Sequence, residues 1–357
     1  MELEFSDDQQ ELRSSVRAFL ERECPISLVR SVVEKGAPAD ELWAQMVDLG
    51  WPALTVPTDY GGLGLGFVEL AVVVEELGRA MAPGPFLATV TQFAPAVRLA
   101  GTVDQQRRFL ELVAAGDLTG TLAVGDDLVA TPAEDGWTLS GTLRHVIDGD
   151  RADEIAVAVR KEDGWRLFVV GSTAAHTVLE HALDQSRPLA TITFDSTFVE
   201  CDRAFTASAD AFDRVLEEAT AALALEMVGT CQSIFDVALE YAKARQQFGK
   251  PIGSFQAVKH KFADMFVALE RARAAAYFAA ATIAEEDQRR PLAVATAKAA
   301  AGDAQRLIGQ EGIQLMGGVG YTWEHDMHLY VKRAKTGDAL LGTSSDHRAR
   351  VARMIGL

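Results

Sequence analysis

From about Ala209 to its end, the chain reads as four long alanine-rich helical segments over residues 211–247, 254–286, 291–316 and 327–340. Helices of that length draw most of their stability from burying an apolar face against another element, so four in succession predict a bundle. Pro291 suits the first turn of the third segment, where its missing N–H costs nothing, and Gly317-Gly318 stops that segment at its far end. From about Gly120 to Phe205 the period changes. Short β-branched runs such as Trp137-Thr-Leu-Ser, Glu154-Ile-Ala-Val-Ala-Val and Ala190-Thr-Ile-Thr-Phe, parted by Gly and Asp turns, predict a small antiparallel β domain. Residues before it read as helical. Ser6 is placed to cap a helix opening at Asp7, with Leu12, Val16 and Leu20 along one face, and further helices run near 40–49 and 69–79. The expected fold class is α+β and mostly helical: an N-terminal helical domain over 1–118, a middle antiparallel β domain over 119–207 and a C-terminal four-helix bundle over 208–357.

A chain of 357 residues exceeds what one core serves, which agrees with several folding units. Against 51 Asp and Glu stand 34 Lys and Arg, and the net charge of −17 repels phosphate backbones, so nucleic acid is not an expected partner. The longest apolar stretches, such as 219–225 and 274–282, fall well below the ~20 residues of a bilayer span. With no basic, apolar leader at Met1–Asp8, no membrane anchor and a cytoplasmic location are expected. Cys24, Cys201 and Cys231 form no Cys-x-x-Cys pair, so they read as buried small hydrophobes rather than a disulfide framework or zinc site.

Two stretches carry candidate chemistry. In Arg245-Gln-Gln-Phe-Gly-Lys-Pro-Ile-Gly-Ser254 one helix ends, the chain turns, and another helix begins with Ser254 as its expected N-cap. A guanidinium beside a free helix start offers paired donors for a pyrophosphate, although a surface Arg at a helix end reads the same way. In Gln314-Leu-Met-Gly-Gly-Val-Gly320 a glycine pair lets a ligand approach the backbone and Gln314 is a donor one turn earlier; a plain helix stop also accounts for it.

Taken together, in this order, the motifs resemble the acyl-CoA dehydrogenase family over essentially the whole chain: Asp59-Tyr-Gly-Gly-Leu-Gly, Glu75-Glu-Leu-Gly-Arg79, Ser186-Arg-Pro-Leu-Ala-Thr-Ile-Thr-Phe, Arg245-x-x-Phe-Gly and Gln314-x-x-Gly-Gly-x-Gly. The resemblance implies a β-barrel-like middle domain and a bundle through which subunits pair into tetramers. It implies FAD as cofactor, α,β-dehydrogenation of an acyl-CoA thioester, and reoxidation by an electron-transfer flavoprotein. It assigns Arg245, Phe248, Ile252, Gln314, Gly317, Gly318 and Thr343 to FAD, chiefly to FAD bound by a neighbouring subunit.

Departures from the family fall on the other half of the site. Where members carry Tyr-Glu-Gly-Thr with the catalytic base, this chain has Leu340-Leu341-Gly342-Thr343, and Leu341 accepts no proton. The alternative base position, on the helix before Arg245, falls on Ala219. Glu226 lies seven residues on and nearly on the same face, which makes it the candidate for a relocated base. The segment flanking the flavin ring has His145 and Ile147 in place of Trp and Thr, and the Thr-Glu-Pro-x-x-Gly-Ser-Asp element is replaced by Leu122-Ala-Val-Gly-Asp-Asp127. The expectation is a base-lacking, FAD-cradling subunit in an α2β2 enzyme with a sister subunit, resembling actinobacterial steroid-type heterotetramers. Two alternatives stand beside it: a complete homo-oligomer using Glu226, and a non-catalytic scaffold. His325 and His328, three residues apart, have a metal spacing, but a helix entry with Asp326 as N-cap suffices for that segment.

Overall fold

The structure is a computed structural model that describes residues 5–161 and 164–357; Met1–Glu4, where a leader was sought, lie outside the described residues. In chain order the helices α1 (Asp7–Glu23), α2 (Ile26–Lys35), α3 (Asp40–Asp48), α4 (Phe67–Ala80), α5 (Phe86–Ala88), α6 (Ala94–Ala100) and α7 (Val103–Ala115) precede the strands. The strands are β1 (Gly120–Val124), β2 (Leu128–Ala133), β3 (Gly136–Ile147), β4 (Glu154–Lys161), β5 (Gly164–Gly171), β6 (His176–Leu179), β7 (Leu189–Glu200) and β8 (Ala204–Ala207). Helix α8 (Ala209–Ala244), the short strands β9 (Gln246–Gln247) and β10 (Lys250–Pro251), and helices α9 (Gln256–Ala284), α10 (Arg290–Met316), α11 (Met327–Ala339) and α12 (Ser344–Met354) complete the fold.

Sequence chemistry sets several boundaries directly. Ser6 accepts from the Gln9 N–H while the Gln9 side chain accepts from the Ser6 N–H, a reciprocal capping box that starts α1. Thr102 and Gln105 do the same for α7. Helix α2 was not anticipated, because Pro25 reads as a stop although it stands just outside the first turn.

Contacts group the described residues into two compact units. One comprises residues 1–35, 67–82 and 220–357; the other comprises 36–66 and 83–219. In the second, the sheet orders are β1-β4-β5-β8 and β2-β3-β7-β6. The pairs are antiparallel except β1 with β4, which run parallel because the β2–β3 hairpin intervenes between them in sequence. The inner faces of both sheets share one core, including Leu139, Ile155, Phe168 and Phe194. The other face of the first sheet, through Ala156, Leu167 and Val169, packs on Val97, Phe109 and Phe212. Strand β4 is thus covered on both sides, which explains its unbroken apolar run.

Helix α8 is long and apolar enough by composition to cross a bilayer, contrary to the sequence expectation, yet 72% of its most apolar window is buried inside the protein. It reads as a core helix. Its crossing with α4 is made by glycines: a Cβ on Gly229 would stand 1.9 Å from the Glu75 carbonyl oxygen, and one on Gly78 would stand 2.1 Å from the Glu226 carbonyl oxygen. Helices α1, α4 and α9 are tied by the Glu75 carboxylate, which accepts from Arg13 at 2.9 Å, Arg273 at 2.8 Å and Tyr277 at 2.6 Å.

Candidate functional site

Helix α8 ends one turn beyond Tyr241, whose carbonyl accepts the Arg245 N–H at 2.8 Å. The chain then forms the β9–β10 hairpin, with Phe248 at φ 53° and Gly249 at φ 76° in its two-residue loop. Positive φ at both loop positions is what a tight hairpin of this twist needs, and for a bulky residue such as Phe248 it is strained. The Ile252 N–H returns to the Arg245 carbonyl at 2.8 Å, so Arg245 is fixed from both sides of the turn. A short 3-10 turn, Ile252–Ser254, leads into α9. Ser254 is not the N-cap. Phe255 holds that position without a side-chain bond, and the Ser254 hydroxyl is buried without a partner among the described residues.

At the far end of α10 the Gly317 N–H is spent on the Gln314 and Ile313 carbonyls, and the backbone turns at φ 61°. Gly317 therefore contributes shape rather than a donor. A Cβ built on Gly317 or Gly318 meets nothing within 4 Å, so both present bare backbone to open space. The two motifs converge. Arg245, Ile252, Gln314, Gly317 and Gly318 line one groove of about 650 Å³, with Tyr241 at one wall. Arg245 and Gln314 are exposed along it. A guanidinium, an amide and a glycine floor make an arrangement suited to an anionic, extended ligand.

Two expected contacts lie elsewhere. Phe248 is 91% exposed beside the groove and packs edge-on against Phe255 at 6.1 Å. Thr343 caps α12, its hydroxyl accepting the Asp346 N–H. Leu341, just before it, sits at φ 54°.

Glu226 is buried at 5% exposure, and its carboxylate accepts from the buried Arg333 guanidinium at 2.8 Å. The guanidinium offsets the carboxylate's charge in this dry setting, and the pair gives its burial a structural cause. The relocated-base reading gains nothing from this geometry.

At the ring-side segment, β3 bulges between Leu143 and Val146, placing His145 at φ 59°. Its Nδ1 lies 2.6 Å from Glu180, whose other carboxylate oxygen accepts the His145 backbone N–H at 2.9 Å. Ile147 is buried and offers no hydroxyl to a ligand. In the histidine-rich segment, His325 Nδ1 accepts the Met327 N–H at 3.1 Å, while Asp326 holds the expected N-cap position of α11 without a side-chain cap bond, its carboxylate accepting from Arg30 at 2.6 Å. Cys24 and Cys231 are buried and their thiols are pushed up to about 12 by burial, whereas Cys201 is exposed, contrary to expectation.

Sequence reasoning passed over Tyr241, although its place one helical turn before Arg245 is a readable signal. It also passed over Lys298, a lone charge in the run Ala293–Ala301, which is fully buried.

Comparison with known proteins places these features in context. Residues 6–117 match the model of the acyl-CoA dehydrogenase N-terminal domain, and residues 210–356 match that of the acyl-CoA dehydrogenase C-terminal domain. The chain is 33% identical to acyl-CoA dehydrogenase IpdE2 of Mycobacterium tuberculosis, over 94% of this chain and 93% of that protein. It is 34% identical to acyl-CoA dehydrogenase FadE34 of the same organism, over 88% of this chain but 42% of that longer protein. Among solved structures, a variant of the Tcur3481-Tcur3483 steroid ACAD aligns with a TM-score of 0.89 at 27% identity, over 98% of each chain. Butyryl-CoA dehydrogenase from Megasphaera elsdenii shares the fold, with a TM-score of 0.92 over 99% of this chain and 100% of that one at 23% identity.

Proposed function

Because this chain belongs to the acyl-CoA dehydrogenase family, we propose that it serves as the FAD-cradling, base-lacking subunit of a heteromeric acyl-CoA dehydrogenase acting on a steroid-type acyl-CoA thioester. The observation that carries this reading is the groove that gathers Arg245, Gln314 and the bare Gly317-Gly318 backbone while the turn at residues 340–343 offers Leu341 and no carboxylate. The groove fits an anionic dinucleotide: its floor lacks side chains where a Cβ would narrow it, and its rim holds a guanidinium that is charged at any working pH. Bound FAD supplies the hydride acceptor that no side chain can replace.

The chain's own contribution is then binding and orientation. Arg245, whose main chain is held on both sides of the turn, presents a guanidinium that offsets phosphate charge. Gln314 donates an amide hydrogen bond from the last turn of α10, and Gly317 and Gly318 let the ligand lie against the main chain. Proton abstraction falls to a sister subunit, since Leu341 is inert and Glu226 is committed to Arg333. The likeness to relatives named as acyl-CoA dehydrogenases and to the Tcur3481-Tcur3483 steroid ACAD supports the activity and the substrate class in this reading. Reoxidation would fall to an electron-transfer flavoprotein.

Co-expression with a sister chain, followed by flavin counting, tests the reading. The expected complex carries one FAD per pair of unlike chains and oxidises acyl-CoA, and Arg245→Ala lowers its flavin content by about ten-fold or more. If the chain purified alone holds one FAD per protomer and oxidises acyl-CoA, the divided site is wrong.

A further inference from the structure

The turn at residues 340–343 has lost its carboxylate, yet it is held more firmly than a surface loop needs to be. Leu341 and Gly342 occupy consecutive positive-φ conformations, at 54° and 90°. Such a backbone persists only where its surroundings fix it. Four side chains do so. The ammonium of Lys298, a residue of α10 with 0% exposure, donates to the Asp338 carbonyl at 3.0 Å and to the Gly342 carbonyl at 2.8 Å. His347, in the first turn of α12, places Nε2 2.9 Å from the Leu341 carbonyl. Because a carbonyl only accepts, Nε2 must carry the proton, which leaves Nδ1 buried without a hydrogen-bond partner among the described residues. Asp346 bonds both the N–H and the hydroxyl of Thr343, and Asp338 accepts the Ser344 N–H at 3.0 Å.

We propose that Lys298 and His347 are positioning residues: they lock the turn at residues 340–343 so that Leu341 forms a fixed apolar wall beside the acyl group, and the lock requires a neutral imidazole. The placement beside the acyl group rests on the function proposed above; the lock itself does not. A second proton on His347 would have to sit on the buried Nδ1, with the Lys298 ammonium of α10 and Arg350 of its own helix adding like charge. Asp346 is the one nearby carboxylate on α12 that offsets them, and it is already committed to Thr343, while Asp338 of α11 is committed to Ser344. Burial, then Lys298 and Arg350, hold the imidazole below its ordinary value, so a turn that opens gains affinity for the proton and acid favours opening. A side chain at Gly342 would be strained by its φ of 90°, and its Cβ would stand 3.1 Å from His347 Nε2.

Amide exchange on the full-length protein tests this through the Leu340, Thr343 and Ser344 amides, each hydrogen-bonded within or beside the turn. After correction for intrinsic rates, their protection in the wild type should fall about ten-fold between about pH 7.5 and pH 5.5. In His347→Gln, which keeps a donor but cannot titrate, protection should stay level. Lys298→Met should lower protection at both pH values; if that variant does not fold, the His347→Gln profile decides alone. Equal pH dependence in wild type and His347→Gln overturns the lock. In the flavin-loaded complex, weakening the lock with His347→Leu should raise the KM for acyl-CoA about ten-fold while kcat changes less, with His347→Gln restoring it. Loosened exchange with an unchanged KM would leave the lock standing and remove the turn from the acyl site.

Discussion

Two buried charges in this protein, Glu226 and Lys298, could be mistaken for catalytic groups, and their surroundings separate the possibilities. Glu226 faces Arg333 at 2.8 Å with both side chains almost wholly buried. Breaking a buried pair by removing one partner leaves the other charge uncompensated, at a cost of about 3–5 kcal/mol. Arg333→Met is therefore expected to lower unfolding free energy by about that amount in urea titrations, and Glu226→Gln by somewhat less because the amide keeps the shape. Were Glu226 the base, Glu226→Gln would instead cut kcat by about three orders of magnitude with little loss of stability. Comparing the urea midpoint with kcat for the same variant decides between the two. Lys298 is more plainly structural, since its ammonium spends its hydrogens on main-chain carbonyls and α10 would otherwise bury an unsolvated charge.

Helix α8 shows how far local pattern reaches. Its helical character is written in the run from Ala209, but its closeness to α4 depends on two glycines whose meaning appears only in three dimensions. Gly229→Ala would place a methyl 1.9 Å from the Glu75 carbonyl oxygen and 2.7 Å from the Arg79 nitrogen, so the helices must separate. That separation would disturb the bonds from Thr230 to the Gly78 carbonyl and from Ser233 to the Arg79 carbonyl, at 3.0 and 2.7 Å. The expected loss is about 2–3 kcal/mol, at the upper end for overpacking, read by chemical denaturation. An Ala substitution at Gly309, inside α10, where a Cβ makes only ordinary contact with Val331 at 3.7 Å, is the control for the backbone term of a helical glycine. Element types and most boundaries of the helices were legible because caps, prolines and apolar spacing are local. The parallel β1–β4 pair, the displacement of Ser254 from the cap of α9 and the diversion of the Asp326 carboxylate from its cap to Arg30 were not, because sheet order and competing side-chain partners are set by residues distant in sequence or by side-chain geometry. The groove was legible as two motifs; that they meet follows only from folding.

Acid should unfold this protein in two stages, and the groups responsible lie in different parts of the first unit. His328 and His347 are held below the ordinary histidine value, in both cases first by burial and then by neighbouring cations, Lys332 beside the former and Lys298 beside the latter. A histidine with a depressed folded value binds its proton more readily when unfolded, so stability is intact above the unfolded value of about 6.5 and declines as pH drops through it. Asp287, held to about 2 by its hydrogen bonds from Arg289, and Asp346, held low by Thr343, act in a separate window. Their contribution is present above the unfolded carboxylate value of about 4 and is lost as pH falls toward the folded one. Both stages have the same sign. Protonation also relieves the repulsion of a net charge of −17, which acts the opposite way and blurs the bare pH profile. The discriminating measurement is therefore a difference. The unfolding free energy of the wild type should be lower at about pH 5.5 than at about pH 7.5, and the gap should narrow in the double variant His328→Phe/His347→Gln, which removes both titrations while leaving every carboxylate in place. An unchanged gap would assign the upper stage to groups other than these two imidazoles.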